Sequence, residues 1–74
     1  MNYFYKLLKN KETIDKCSTH SFRVFIKNLR TINFKDNDIL VRIKFTYNDK
    51  STNEGDYKNK HDLFQAVEAF REEE

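Results

Sequence analysis

The sequence predicts an α+β domain, a small antiparallel sheet of two or three strands packed against an N-terminal and a C-terminal helix. Three observations predict it. Apolar residues recur at helical spacing near both ends of the chain. Between them, Ile39, Val41, Ile43, Phe45 and Tyr47 alternate strictly with Leu40, Arg42, Lys44 and Thr46. A polar stretch over residues 48–61, which holds the only glycine, separates that alternation from the second helical segment.

Tyr3, Phe4, Leu7 and Leu8, interleaved with Lys6, Lys9 and Lys11, predict an amphipathic helix over residues 2–10. Ile14 and Cys17 extend the same stripe. Ser18-Thr19-His20-Ser21 then breaks the pattern with side chains that favour turns. From Phe22 the period changes to two, with Phe22, Val24 and Ile26 on one face and Arg23, Phe25 and Lys27 on the other. Ile32 and Phe34 resume the even register after an interruption, which reads as one bulged strand or two short ones. Lys35-Asp36-Asn37-Asp38 is a turn by composition. The alternation over residues 39–47 pairs naturally with the preceding strand as a hairpin, one face buried and one wet. Residues 48–61 read as a long polar loop with a tight turn at Asn53-Glu54-Gly55 and Tyr57 as its anchor, or as a loop that hides a short edge strand. Asp62 is placed to cap a second helix, with Gln65 three positions on, and Leu63, Val67 and Phe70 supply its buried stripe.

Seventy-four residues make a single domain, 1–74, near the lower limit for a self-sufficient core. The hydrophobic share is 38% and the charged share 35%. The first is below and the second above the usual shares, about 45–50% and about 25%. A homodimer or a large partner can supply the missing burial. The lone Cys17 forms no disulfide within the chain and fits a reducing cytoplasm. No apolar run approaches the ~20 residues of a membrane span, and the start does not read as a signal peptide.

Chemistry is sparse. A nucleophile pair would need Cys17 with His20 or His61, and these three are too few for a structural zinc site. There is no Gly-rich phosphate loop. The chain therefore reads as non-enzymatic, with no catalytic residues, cofactor or metal. Charge is polarised: ten Lys and Arg against four Asp and Glu over residues 1–47, but four against eight over residues 48–74. Two binding classes follow. A basic outer sheet face of Arg23, Phe25, Lys27, Arg42 and Lys44 suits a nucleic-acid-binding regulator. The acidic half (Asp49, Glu54, Asp56, Glu68, Glu72, Glu73 and Glu74) suits a protein partner with a cationic surface.

The segment Lys60-His61-Asp62-Leu63-Phe64 is similar, in its last three residues, to peptides by which proteins dock on the bacterial replication sliding clamp. Composition points the same way, with one Gly, no Pro and seven Phe. In size, composition and layout the chain resembles small host-takeover inhibitors from phages of low-GC Gram-positive bacteria. That resemblance implies stoichiometric obstruction or DNA mimicry of host nucleic-acid machinery, with the sliding clamp first and a Cas effector (an anti-CRISPR role) second. It implies a partner surface from Asp49, Glu54, Asp56, Tyr57, Asp62, Leu63, Phe64, Glu68 and Glu72. Leu63 and Phe64 are either core residues or contact residues, and burial decides between them.

Overall fold

A computed structural model describes residues 1–35 and 38–72, the side chain of Glu72 excepted. The expected turn at Lys35-Asp36-Asn37-Asp38 lies partly outside the described residues. The terminal Glu73 and Glu74 and the side chain of Glu72 lie wholly outside them. Six elements follow in order: β1 (Asn2–Lys9), β2 (Glu12–Thr19), α1 (Phe22–Arg30), β3 (Ile39–Thr46), β4 (Thr52–Tyr57) and α2 (Lys60–Glu72). The strands form one sheet in the order β2-β1-β3-β4, antiparallel at every pairing. The α+β class with a C-terminal helix stands, but the sheet has four strands rather than two or three.

The N-terminal helix expected over residues 2–10 is instead β1, and the expected extension through Ile14 and Cys17 is β2. The reason lies in the apolar residues of β1, which occupy both of its faces. Tyr3 and Tyr5 are buried under the helices, whereas Phe4 and Leu8 are half-buried on the opposite side. Their union imitates a helical stripe. The hairpin turns at Asn10 and Lys11, with φ of 51° and 67°. Two consecutive positive φ values mark the type I′ connection that matches strand twist, here made without glycine. Ile14 is an extra residue where the β1–β2 register shifts, and its side chain is 54% exposed.

The strand expected from Phe22 is α1. Phe22, Phe25, Ile26 and Leu29 form an i, i+3, i+4, i+7 stripe, and burial shows which period governs. Phe25 is 0% exposed and Val24 is 44% exposed, the reverse of the alternating reading. Ser21 caps the helix, its side chain accepting from the Val24 N–H at 3.3 Å. Ile32 and Phe34, expected to continue a strand, follow the helix in irregular chain, with Ile32 buried in the core.

β3 follows its predicted alternation: Ile39, Val41, Ile43 and Phe45 are buried. Its hairpin to β4 closes through Tyr47 N–H to Ser51 O and Lys50 N–H to Tyr47 O, both 2.9 Å, with Lys50 at φ 72°. Gly55 lies within β4, not in a turn. A Cβ there would run into the Tyr57 ring, so its absence lets that ring lie across the strand. Asp62 is not the cap of α2; the helix starts earlier. Asn59 Oδ1 accepts from the Asp62 N–H at 2.8 Å, and Asn59 Nδ2 donates to Asp62 Oδ2 at 3.0 Å. Asn59 holds the N-cap and Asp62 sits at the third helical position, where its charge suits the dipole.

Both helices pack on the face that carries Tyr3, Tyr5, Val41, Ile43 and Phe45, joined by Phe25, Leu29, Leu63 and Val67. Aromatic edges bind this core: the Tyr3 and Phe45 centroids are 5.0 Å apart and those of Phe25 and Phe45 5.5 Å apart, both edge-to-face. Two contacts tie the helices end to end. Lys60 Nζ donates to the Arg30 carbonyl at 3.1 Å, and the Arg71 guanidinium lies 4.6 Å from the Phe22 ring centroid. Among the described residues no helix is long and apolar enough to cross a membrane.

Candidate interaction surface on the open sheet face

Because both helices lie on one side, the other side of the sheet has no covering layer among the described residues. Strand register fixes what it displays. Lys6 of β1 stands between Lys16 of β2 and Arg42 of β3, and Arg42 stands opposite Asp56 of β4. One step along, Phe4 stands between Ser18 and Lys44, and Lys44 opposite Glu54. Leu8 and Leu40 pair at the far end.

The row Lys16–Lys6–Arg42 is unfavourable as a sheet feature. Side chains directly opposite across strands lie about 5 Å apart at Cβ, and like charges there cost stability. Among the described residues, the Arg42 end is relieved by a carboxylate. Arg42 Nε donates to Asp56 Oδ1 at 2.7 Å and Nη2 to Oδ2 at 3.1 Å, a bidentate pair. That hydrogen bond raises the Arg42 pKa and lowers that of Asp56. The pair stays well exposed, at 43% and 40% of each side chain, so its value lies in orienting Arg42 rather than in stability.

The expected basic face of Arg23, Phe25, Lys27, Arg42 and Lys44 is divided by the fold. Arg42 and Lys44 belong to the open face. Arg23 and Lys27 are exposed on α1, across the sheet from them, and Phe25 is core. Lys6, Lys16 and Phe4 take their places beside Arg42. Sequence reasoning missed these three because β1 and β2 were read as helix. The available signal was the alternation Tyr3, Tyr5, Leu7.

The residues expected to meet a protein partner are also dispersed. Glu54 and Asp56 lie on the open face at the β4 edge. Asp49 is spent in the hairpin turn, accepting from Ser51 Oγ at 2.6 Å and Ser51 N–H at 3.0 Å, which lowers its pKa. Tyr57 lies half-buried against Gly55, and burial raises its phenol pKa. Asp62 serves the cap of α2. Leu63 is 0% exposed within the core, so it reaches no partner while α2 is folded. Phe64 is half-buried and shares a shallow depression on α2 with Glu68.

Cys17 and His20 are engaged locally. Asn28 Nδ2 lies 3.4 Å from Cys17 Sγ, and the His20 ring shares a hydrogen bond of 2.8 Å with the Met1 carbonyl. His61 is exposed on α2. Tyr5, whose hydroxyl donates to Asp15 Oδ2 at 3.0 Å, has its pKa pushed up to about 12, by burial first and by Asp15 second. It is a structural phenol at neutral pH. Comparison of the chain with protein-family models, with curated proteins and with solved structures gives no match.

Proposed function

We propose that this protein is a small, non-enzymatic binding module that engages nucleic acid through the open face of its sheet. The observation that supports it is the cross-strand row of like charges Lys16–Lys6–Arg42, extended by Lys44 beside the half-buried Phe4. Such a row opposes folding, and a phosphate backbone compensates it. Phe4 offers a ring on which a base can stack, and backbone plus stacking is how single strands are held without sequence readout. In this reading the protein acts in the cytoplasm of a bacterial cell, where Cys17 stays a thiol.

Binding of fluorescein-labelled dT15, followed by anisotropy over a salt series, tests the reading. The wild-type protein binds at low salt. Lys6→Glu with Lys44→Glu lowers affinity at least tenfold and flattens the salt slope by about 0.7 for each lost phosphate contact. A wild-type protein that leaves dT15 free at low salt, or a double variant with unchanged affinity and an intact circular-dichroism spectrum, overturns it.

Obstruction of a protein from the replication or defence machinery, the sliding clamp included, is the second reading. One specific observation favours it: Phe64, alone of the Leu63-Phe64 pair, stays accessible, and it does so on the helix side of the molecule.

A further inference from the structure

Beyond the cationic row, the open face of the sheet ends in a depression. Register stacks that face in steps of two residues, about 7 Å apart: Phe4 beside Lys44, then Lys6 beside Arg42, then Leu8 beside Leu40. Leu8 and Leu40 are half-buried and form a second apolar platform, separated from Phe4 by the row of Lys6 and Arg42. The depression at this platform holds about 550 Å³ and is lined by both leucines, by Lys11 of the β1–β2 turn, by Lys58 just after β4, and by Arg42 and Asp56. Its volume lies within the range of small-molecule sites, about 300–1,000 Å³. The face stops here, where the turn meets the chain ahead of β3: the Asn10 N–H donates to the Asp38 carbonyl at 3.4 Å.

Two observations mark this end as more than a solvated rim. Lys11 holds φ 67° at the second position of the turn, where glycine is the residue free of strain. Hairpin stability therefore favours glycine there, and the lysine instead brings a cation to the depression. Secondly, Lys11 and Lys58 line the same small surface, and among the described residues neither has an acidic partner. Asp56 is taken by Arg42, which leaves Asp38 as the lining carboxylate outside that pair.

We infer that this depression is a terminal-nucleotide site, which takes the last base of a single strand and the phosphomonoester at its end. The inference rests on the nucleic-acid reading of the sheet face and adds where a bound strand stops. The base covers Leu8 and Leu40, and the terminal phosphate sits between Lys11 and Lys58. A monoester suits two unpaired lysines better than a backbone diester does, because near neutral pH it carries about −1.5 to −2 charges rather than one. It occurs at a 5′ or at a 3′ end, with the same chemistry toward the two lysines.

Anisotropy with dT15 strands tests the inference, each strand labelled at one end and carrying either a phosphate or a free hydroxyl at the other. A phosphate at the 5′ or the 3′ end is expected to tighten binding about fivefold or more at low salt, and the end that responds fixes the polarity of the strand. Lys11→Gly and Lys58→Gln are each expected to erase most of that gain while leaving affinity for the hydroxyl strands within about twofold. Lys11→Gly also relaxes the turn, so its melting temperature should equal or exceed that of the wild type, and its lost gain is then no sign of misfolding. Phosphate strands that bind no tighter than hydroxyl strands, or a gain that survives in both variants, overturn the inference and leave the nucleic-acid reading standing. A protein that binds none of the dT15 strands overturns both.

Discussion

The two faces of the sheet are made from the same four strands by strict alternation, yet they obey different rules. On the covered face, Tyr3, Tyr5, Val41, Ile43 and Phe45 are chosen for volume, and aromatic edges interlock under two helices. On the open face, the same strands place Lys6 between Lys16 and Arg42, an arrangement that burial does not explain and charge repulsion disfavours. One face is organised by what it excludes, which is water. The other leaves charged side chains in solvent. The apolar and the charged sets are thereby separated by a single residue of register, because a one-residue slip would exchange them.

That separation can be broken most severely from the covered side. Ile43→Ala removes a fully buried side chain beneath both helices, with an expected loss of about 2–5 kcal/mol in urea unfolding. Its neighbour Lys44, substituted to Ala, should change stability by less than about 0.5 kcal/mol. If the two losses are similar, the open face is also structural and the division fails. Asn59→Ala, which removes the cap of a helix on the covered side, should cost about 1 kcal/mol and leave dT15 binding unchanged.

The smallest effect lies on the open face and depends on pH. The hydrogen bond from Arg42 holds the Asp56 pKa below its ordinary value. Its contribution is therefore present above the ordinary aspartate range, near pH 3.9, and is lost as pH falls through the lowered value. A melting temperature followed from neutral pH downward should stay level until that range and then fall. Asp56→Asn should make the fall shallower, only slightly, because the pair is exposed to solvent.

Much of the fold was legible where one signal acted alone. β3 shows five alternating apolar residues and forms where expected; α2 has a period near 3.6 and forms with its cap three residues earlier than expected, at Asn59 rather than Asp62. β1 misled because apolar residues on two unequal faces add up to a false helical stripe. α1 misled because Phe22, Val24 and Ile26 alternate by accident within a stripe whose true members include Phe25 and Leu29. Both errors carried into the site. A cationic face was foreseen at Arg42 and Lys44, but Lys6, Lys16 and Phe4 join it only through strand pairing, which no local window contains. The edge strand β4 (Thr52–Tyr57) answers to the second reading of residues 48–61, a loop that hides a short edge strand; polar residues and a glycine that accommodates the Tyr57 ring kept it from being the first.

By itself the sequence determined the class of the fold, the central alternating strand, the C-terminal helix and the scarcity of reactive groups, because these rest on composition and on periods within a few residues. Only the tertiary structure decided that both helices share one side of the sheet, that Leu63 belongs to the core, and that basic residues gather on two opposite surfaces. Those outcomes depend on contacts between residues such as Lys6 and Arg42, which are 36 positions apart in the chain and direct neighbours across the sheet.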